Sequence, residues 1–112
     1  MKLLLEKFTE VVLIQPNLKP ILPVNPLYIS FQSGYDLLFL KISSQGCEVF
    51  NDCQERTDLW IKGDLTCIQS FLMGKERLRK IESRNQLKIT GSFKDILLVE
   101  SLFALCNIEL SA

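Results

Sequence analysis

Apolar residues recur along this chain with two different periods, and the change of period separates predicted helices from predicted strands. From residue 3 to residue 15 they follow i, i+3, i+4 and i+7 spacings opposite Glu6, Lys7 and Glu10, which predicts an amphipathic helix over 1–15. Pro16 ends it, because proline lacks the N–H that a helix interior needs. The helix is therefore expected to pack one apolar side on the rest of the protein.

Four prolines fall within residues 16–26, with apolar residues between them. This density predicts an extended segment that lies against the body of the protein. The alternative is a proline-rich ligand for the aromatic groove of a partner.

Residues 27–62 alternate between apolar and polar positions, as strands do. The runs predict strands over 27–32, 35–43, 47–50 and 58–62. The second run is apolar on both faces, which is typical of a central strand. Short turns between successive strands predict an antiparallel meander.

The pattern returns to the helical period after residue 63. Residues 64–83 predict two short helices separated by Gly74, residues 86–90 a strand, and residues 93–108 a long helix. Ser92 is placed to cap the long helix, and Asp95 to favour its N-terminus. The predicted fold is one α+β domain over 1–112, with an approximately five-stranded, mainly antiparallel sheet and helices packed on it.

The long terminal helix is apolar on more than one face, although Lys94, Asp95 and Glu100 interrupt it. Such a helix must be covered on more than one side. It can lie centrally in the core, form one wall of a lipid cavity, or meet another subunit. It is too short and too interrupted to span a bilayer.

Composition excludes several kinds of function. The chain has 112 residues, a hydrophobic fraction of 47% and a formal net charge of zero, which fits one globular domain with no global attraction to nucleic acid or to anionic lipid. It has no histidine, so Ser-His and Cys-His pairs cannot form. The five glycines are too far apart for a phosphate loop, and no pair of carboxylates has a catalytic spacing. We therefore expect a protein that is not an enzyme and needs no cofactor.

The four cysteines show no CxxC spacing, which argues against zinc. A disulfide between Cys47 and Cys53 would fit a hairpin, but reduced thiols fit better with the expected cytoplasmic location. That location is expected because Glu6 and Lys7 interrupt the N-terminal apolar run well short of a signal-peptide core.

The one local charge asymmetry is a basic cluster on the predicted short helices. Its members are Lys75, Arg77, Arg79, Lys80 and Arg84. A solvated helix face accounts for it most simply. The functional alternative is transient contact with an anionic membrane through Lys75, Arg77, Arg79 and Lys80, or contact with an acidic partner.

Two glycine junctions give the chain a family resemblance. The stretch from Asp58 to Asp64 reads Asp-Leu-Trp-Ile-Lys-Gly-Asp, a helix ends at Met73-Gly74, and Leu-Lys-Ile-Thr-Gly-Ser from Leu87 precedes the apolar helix. This order resembles the sterol carrier protein type two domain family. One position departs from the pattern, because Asn85 stands where the family has a glycine; asparagine tolerates the left-handed backbone better than most residues.

The resemblance implies a five-stranded sheet with helices that enclose an apolar tunnel for a fatty acid, an acyl chain or a sterol-like lipid. It implies lining residues on the sheet and on the helices. They are Leu37, Phe39, Leu59, Ile61, Ile68, Phe71, Leu72, Leu97 and Phe103. Packed core would account for each of them equally well.

The first functional hypothesis is therefore non-enzymatic binding and carriage of an apolar ligand in an internal hydrophobic cavity. The alternative is a protein-interaction or homodimerisation module with a filled core, because Ile108 and Leu110 have no evident place inside so small a domain.

Overall fold

The computed structural model describes residues 1–52 and 56–106, and these form four α-helices, one 3-10 helix and five strands. In chain order they are α1 (Lys2–Ile14), the 3-10 helix (Pro16–Ile21), β1 (Leu27–Ser33), β2 (Asp36–Ser43), β3 (Gly46–Phe50), β4 (Leu59–Gly63), α2 (Leu65–Leu72), α3 (Leu78–Ser83), β5 (Leu87–Thr90) and α4 (Phe93–Cys106). Residues 107 and 108, predicted as the end of the last helix, and Cys53 lie outside the described residues. No helix within the described ranges is long and apolar enough to cross a membrane.

The five strands form one sheet in the order β3-β2-β1-β4-β5. Three neighbouring pairs are antiparallel, and β1 with β4 is parallel. The predicted α+β class, with a mainly antiparallel five-stranded sheet, is confirmed.

The predicted four-strand meander is wrong at its last step, because β4 lies beside β1 and not beside β3. The polar stretch between β3 and β4 is long enough to cross two strands. Its end is held over β1, where the Thr57 and Ser30 hydroxyls are 2.9 Å apart. The Tyr28 backbone N–H also donates to Asp58 Oδ2 at 2.9 Å. These bonds align β4 parallel to β1.

The segment over residues 16–26 is only partly extended, which corrects the prediction of an extended segment throughout. Pro16 begins the 3-10 helix, where a missing N–H is no loss. The Leu18 side chain is 1% exposed and draws this turn onto the core. The chain becomes extended at Leu22, with φ −74° and ψ 139°.

The core lies between the sheet and the helices. Alternate residues of β1 and β2 point into it, among them Ile29, Phe31 and Leu40, each 0% exposed. The first helix packs on β3, and α4 packs against α1, α2 and the 3-10 helix. The sheet face opposite the helices carries the other alternate residues.

The turns into β5 and α4 have the local chemistry that the sequence predicts. Asn85 adopts the left-handed conformation with φ +59°, so asparagine does replace glycine in this turn. The Ser92 hydroxyl oxygen accepts a bond from the Asp95 backbone N–H at 3.2 Å and thereby caps α4.

Substitution of Gly63 by alanine tests the close approach of β4 and β5. A Cβ at Gly63 would lie 2.5 Å from the Gln86 carbonyl oxygen, whereas a Cβ at Gly34 meets nothing within 4 Å. Gly63→Ala is expected to lower the free energy of unfolding by about 3 kcal/mol, as overpacking does. Gly34→Ala, which adds only left-handed strain, should cost about 1 kcal/mol. Urea unfolding measures both, and equal losses would contradict this packing.

Candidate functional site

The last helix has a buried flank that is apolar except for one glutamate, and an exposed flank on which apolar side chains lie beside Lys94 and Ser101. Val99, Leu102 and Phe103 on the buried flank are 0% exposed. On the opposite flank Phe93 is 57% exposed and Leu105 is 58% exposed. Most surface helices place polar residues on the outside, so large apolar side chains exposed on the outer flank mark α4 as a candidate functional element.

Three aromatic rings join α4 to the other helices. The ring centroids of Phe8 and Phe103 are 4.2 Å apart in a stacked arrangement. Those of Phe71 and Phe103 are 5.1 Å apart and tilted. Phe103 of α4 therefore links α1 and α2 at the centre of the helical layer. We call Phe8, Phe71 and Phe103 the aromatic cluster.

The structure brings together most of the residues that the resemblance implies as ligand contacts. Six of them are buried in the core between helices and sheet: Leu59, Ile61, Ile68, Phe71, Leu72 and Phe103. Leu97 is half-buried on the outer side of α4. These six residues and the aromatic cluster form one continuous apolar region under α4.

The other two predicted contacts, Leu37 and Phe39, lie on the opposite face of the sheet. On β2 the side chains that join the core are Leu38, Leu40 and Ile42, which alternate with them. Both faces of this central strand are apolar, so alternation alone did not decide which set points to the helices. Leu37 and Phe39 are therefore separated from the other seven by the sheet itself.

A cleft of about 420 Å³ opens beside the first half of α4. Its lining comes from the proline-rich segment, the start of β1, the end of the β3–β4 connection and α4. The lining residues are Ile21, Pro23, Val24, Asn25, Pro26, Leu27, Arg56, Asp58, Lys94, Asp95 and Leu98. Its volume is in the range of small-molecule sites.

The cleft touches the edge of the core at Leu98. Leu98 packs against the core, and Leu102, one helical turn further on, is fully buried. The sequence prediction of contacts missed the cleft. The available signal was the apolar residues between the prolines, which indicated packing against the body but no particular neighbour.

The first part of the basic cluster, from Lys75 to Arg79, lies along the outer edge of α4. A Cβ at Gly74 would be 3.2 Å from the Ala104 Cα, and the Arg79 guanidinium is 4.9 Å from the centre of the Phe93 ring. The stretch from Gly74 to Arg79 thus follows α4 for most of its length. Within the cluster, Arg84 donates to Glu76 at 2.7 Å, and this bond lowers the pKa of Glu76.

The cysteines that the structure describes have the character of packing residues. Cys47, Cys67 and Cys106 are free thiols. Burial raises the pKa of Cys47 and of Cys106 from 9.0 to about 11, so both are protonated at neutral pH and are poor nucleophiles. Among residues 1–52 and 56–106, no group of three or more acidic or cysteine side chains could hold a metal ion. The proposed Cys47–Cys53 pairing involves a residue outside the described ranges.

Similarity to known proteins extends over most of the chain. It is 31% identical over 90 residues to the SCP2 domain-containing protein YusD of Bacillus subtilis (strain 168), a match that covers 80% of this chain and 79% of that protein. A UbiJ-SCP2 ubiquinone synthesis protein has a similar fold, with a TM-score of 0.72 at 14% identity over 88% of this chain and 87% of the other. The sterol carrier protein domain 2 of Helicoverpa armigera gives 0.67 at 14% identity over 99% and 90%. No protein-family model matches the sequence.

Two leucines of α4 test the assignment of its flanks. Leu102 is 0% exposed and Leu105 is 58% exposed. Leu102→Ala is expected to lower the free energy of unfolding by about 2 to 5 kcal/mol, because it leaves a cavity in the core. Leu105→Ala should change it by less than about 0.5 kcal/mol. Urea unfolding of both variants measures the difference, and a large loss at Leu105 would show that the outer flank is covered.

Proposed function

The chain belongs to the SCP2 domain family, and from this premise we propose that it binds an apolar lipid between its helical layer and its sheet and carries it without chemical change. The family resemblance inferred from the sequence is confirmed. The observation that carries the proposal is the last helix, whose buried flank is apolar apart from Glu100 and faces the core between helices and sheet. A helix that covers a lipid site needs this character, because its inner flank meets the ligand.

The proposed path of the ligand begins at the cleft between the proline-rich segment and α4. From there it passes Leu98 and Leu102 and reaches the aromatic cluster under the helix. The rings of the cluster are in contact, so the ligand takes its place as α4 moves outward from them. Each buried CH₂ of the ligand contributes about 0.8 kcal/mol. The free energy gained by burying a long chain thereby offsets the free energy of the contacts that α4 loses when it moves.

Several features favour carriage over catalysis in the proposed role. The mouth of the cleft carries charged side chains, but between Leu98 and the aromatic cluster the core side chains are aliphatic or aromatic, and the described thiols beside the core are protonated at neutral pH. The apolar part of the path holds a chain by burial and supplies no nucleophile.

Leu98 and Leu105 provide a matched pair for testing the site. Leu98 lines the cleft, and Leu105 lies on the exposed flank of the same helix. The purified protein is expected to bind the uncharged dye Nile red, and 1-dodecyl methyl ether is expected to displace it. Leu98→Lys should weaken both affinities at least about tenfold, because the charge must be buried against the ligand.

Leu105→Lys is the control and should leave both affinities unchanged. Organic extracts of the purified protein, analysed by mass spectrometry, are expected to contain a lipid. Absence of a co-purified lipid together with failure to bind the dye would refute the proposed function. Equal affinities of the two lysine variants would instead show that the ligand does not bind at the cleft.

We propose in addition that the outer flank of α4 and its basic border dock on an anionic membrane. The net charge of zero hides a strong asymmetry, because eight basic and only three acidic residues lie between Lys62 and Lys94. This stretch has a net charge of +5, and the rest of the chain has −5. An apolar stripe beside a basic border is the arrangement that binds the interface of an anionic bilayer.

The docking surface and the proposed lipid site share one element. Phe93 and Leu105 belong to the outer flank of the helix whose inner flank covers the aromatic cluster. Contact with a membrane would replace water on the outer flank by lipid and lower the cost of moving α4 outward. Docking and opening are therefore coupled in this proposal.

Charge reversal at Lys75 and Arg77 tests the docking surface. The double substitution Lys75→Glu and Arg77→Glu is expected to lower partitioning onto vesicles of phosphatidylcholine with one-third phosphatidylglycerol by at least about 2 kcal/mol, since each basic residue near such a surface contributes about 1 kcal/mol. Lys2→Glu with Lys19→Glu is the control and should have a smaller effect. Co-sedimentation measures both, at low and high salt.

Binding that is equally strong on pure phosphatidylcholine, or equally sensitive to both pairs of substitutions, would contradict the docking surface. If the wild-type protein does not bind vesicles and is a dimer in sedimentation experiments, the outer flank of α4 is instead a self-association surface. Ile108 and Leu110, which motivated that alternative in the sequence, lie outside the described residues.

A further inference from the structure

Glu100 is a buried carboxylate without a hydrogen bond. Its side chain is 2% exposed, and neither Oε1 nor Oε2 has a hydrogen-bond partner among the described residues. The Nε atom of Arg79 is 3.8 Å from Oε1, which is an ion pair but too long for a hydrogen bond. The charge of Glu100 is therefore partly offset, whereas its acceptor capacity is unused.

An unused buried acceptor of this kind is costly for a folded protein. A carboxylate can accept about four hydrogen bonds, and a buried acceptor left without one destabilises the structure by more than a neutral group would. Apolar residues occupy most other inward positions of α4. A glutamate at this position is thus a specific chemical feature in an otherwise apolar wall.

Glu100 lies beside the aromatic cluster and away from the cleft. Residues three apart on a helix are neighbours on its surface, which places Glu100 next to Phe103. Glu100 and Leu98 are two positions apart, so they point to opposite sides of α4. A ligand that enters past Leu98 and lies under α4 therefore brings its leading end toward Glu100.

We propose that Glu100 accepts a hydrogen bond from the leading end of the ligand, so that the protein selects an apolar chain that ends in a hydroxyl or amine. This rests on the proposed lipid-binding function. Arg79 forms an ion pair with the carboxylate from the outer side, and the ligand supplies the missing hydrogen-bond donor. A ligand with a carboxylate at this end is disfavoured, because two like charges at hydrogen-bond distance repel each other.

Three ligands with the same chain isolate this interaction. They are 1-dodecanol, which has a donor, its methyl ether, which has the oxygen without the donor, and dodecanoic acid at neutral pH. Displacement of Nile red from the wild-type protein measures their affinities. The alcohol is expected to bind about tenfold more tightly than the ether, as a charge-assisted hydrogen bond predicts, and the acid should not bind more tightly than the ether.

The acid comparison is demanding in this protein. The basic residues beside α4 create a positive electrostatic potential that attracts dodecanoate. A preference for the alcohol over the acid would therefore oppose this potential. It must come from a local contact.

Variants of three residues separate a binding role from a purely structural one. Glu100→Gln keeps the shape, removes the charge and adds a donor, and it should raise the affinity for dodecanoate relative to the alcohol at least about tenfold. Glu76→Gln removes a negative charge from the exposed pair with Arg84 and should leave the ranking unchanged. Arg79→Gln breaks the ion pair and should keep the preference for the alcohol over the ether.

Each outcome bears on the proposal. Equal affinities of the wild-type protein for alcohol and ether would overturn the proposal and leave lipid binding intact, and this comparison needs no variant. A ranking that is the same in Glu100→Gln as in the wild-type protein would also overturn it, because Glu100 would then serve only its ion pair. If the ether itself fails to bind, the proposed lipid-binding function fails and this inference fails with it.

Discussion

The stacking of Phe103 on Phe8 and Phe71 is the interaction on which the arrangement of helices depends. It is the point where α1, α2 and α4 meet, with centroid distances of 4.2 Å and 5.1 Å. Full burial of each ring contributes about 1.5 to 3 kcal/mol, and each aromatic pair adds about 1 kcal/mol. These contacts hold α4 against the body of the protein. They are also the contacts with which a ligand under α4 must compete, so stability and proposed function draw on the same surface.

Polar groups are distributed around α4 in a way that apolar packing does not explain. The basic residues gather on the stretch from Gly74 to Arg79 that follows its outer edge, and a single carboxylate is buried at the side of the aromatic cluster. Arg79 contacts both Phe93 and Glu100 and so connects the exposed edge to the buried acceptor. In the two proposals, this helix combines a membrane-docking surface on its outer flank with a hydrogen-bond acceptor for the ligand on its inner flank. Neither the basic stretch nor the buried carboxylate belongs to the six core residues that the family resemblance implies as ligand contacts.

Local physical chemistry made much of the fold predictable. Asn85 takes the left-handed turn that the family fills with glycine, and Ser92 caps α4. These features depend on a few neighbouring residues, which is why a sequence reveals them. The meander failed at β4 because pairing with β1 depends on contacts of Thr57 and Asp58 with a strand almost thirty residues earlier. No local period records such a contact.

The sequence by itself determined the fold class, the family, the two glycine junctions and the surplus of apolar positions on the last helix, since each follows from periodicity or from short motifs. Tertiary structure alone decided which side of β2 faces the helices, because Leu37 and Phe39 are as apolar as the residues between them. It also decided that the apolar surplus of α4 is divided between a buried and an exposed flank, and that Glu100 is enclosed. Burial depends on what the rest of the chain places beside a residue, and the amino-acid type does not specify those neighbours.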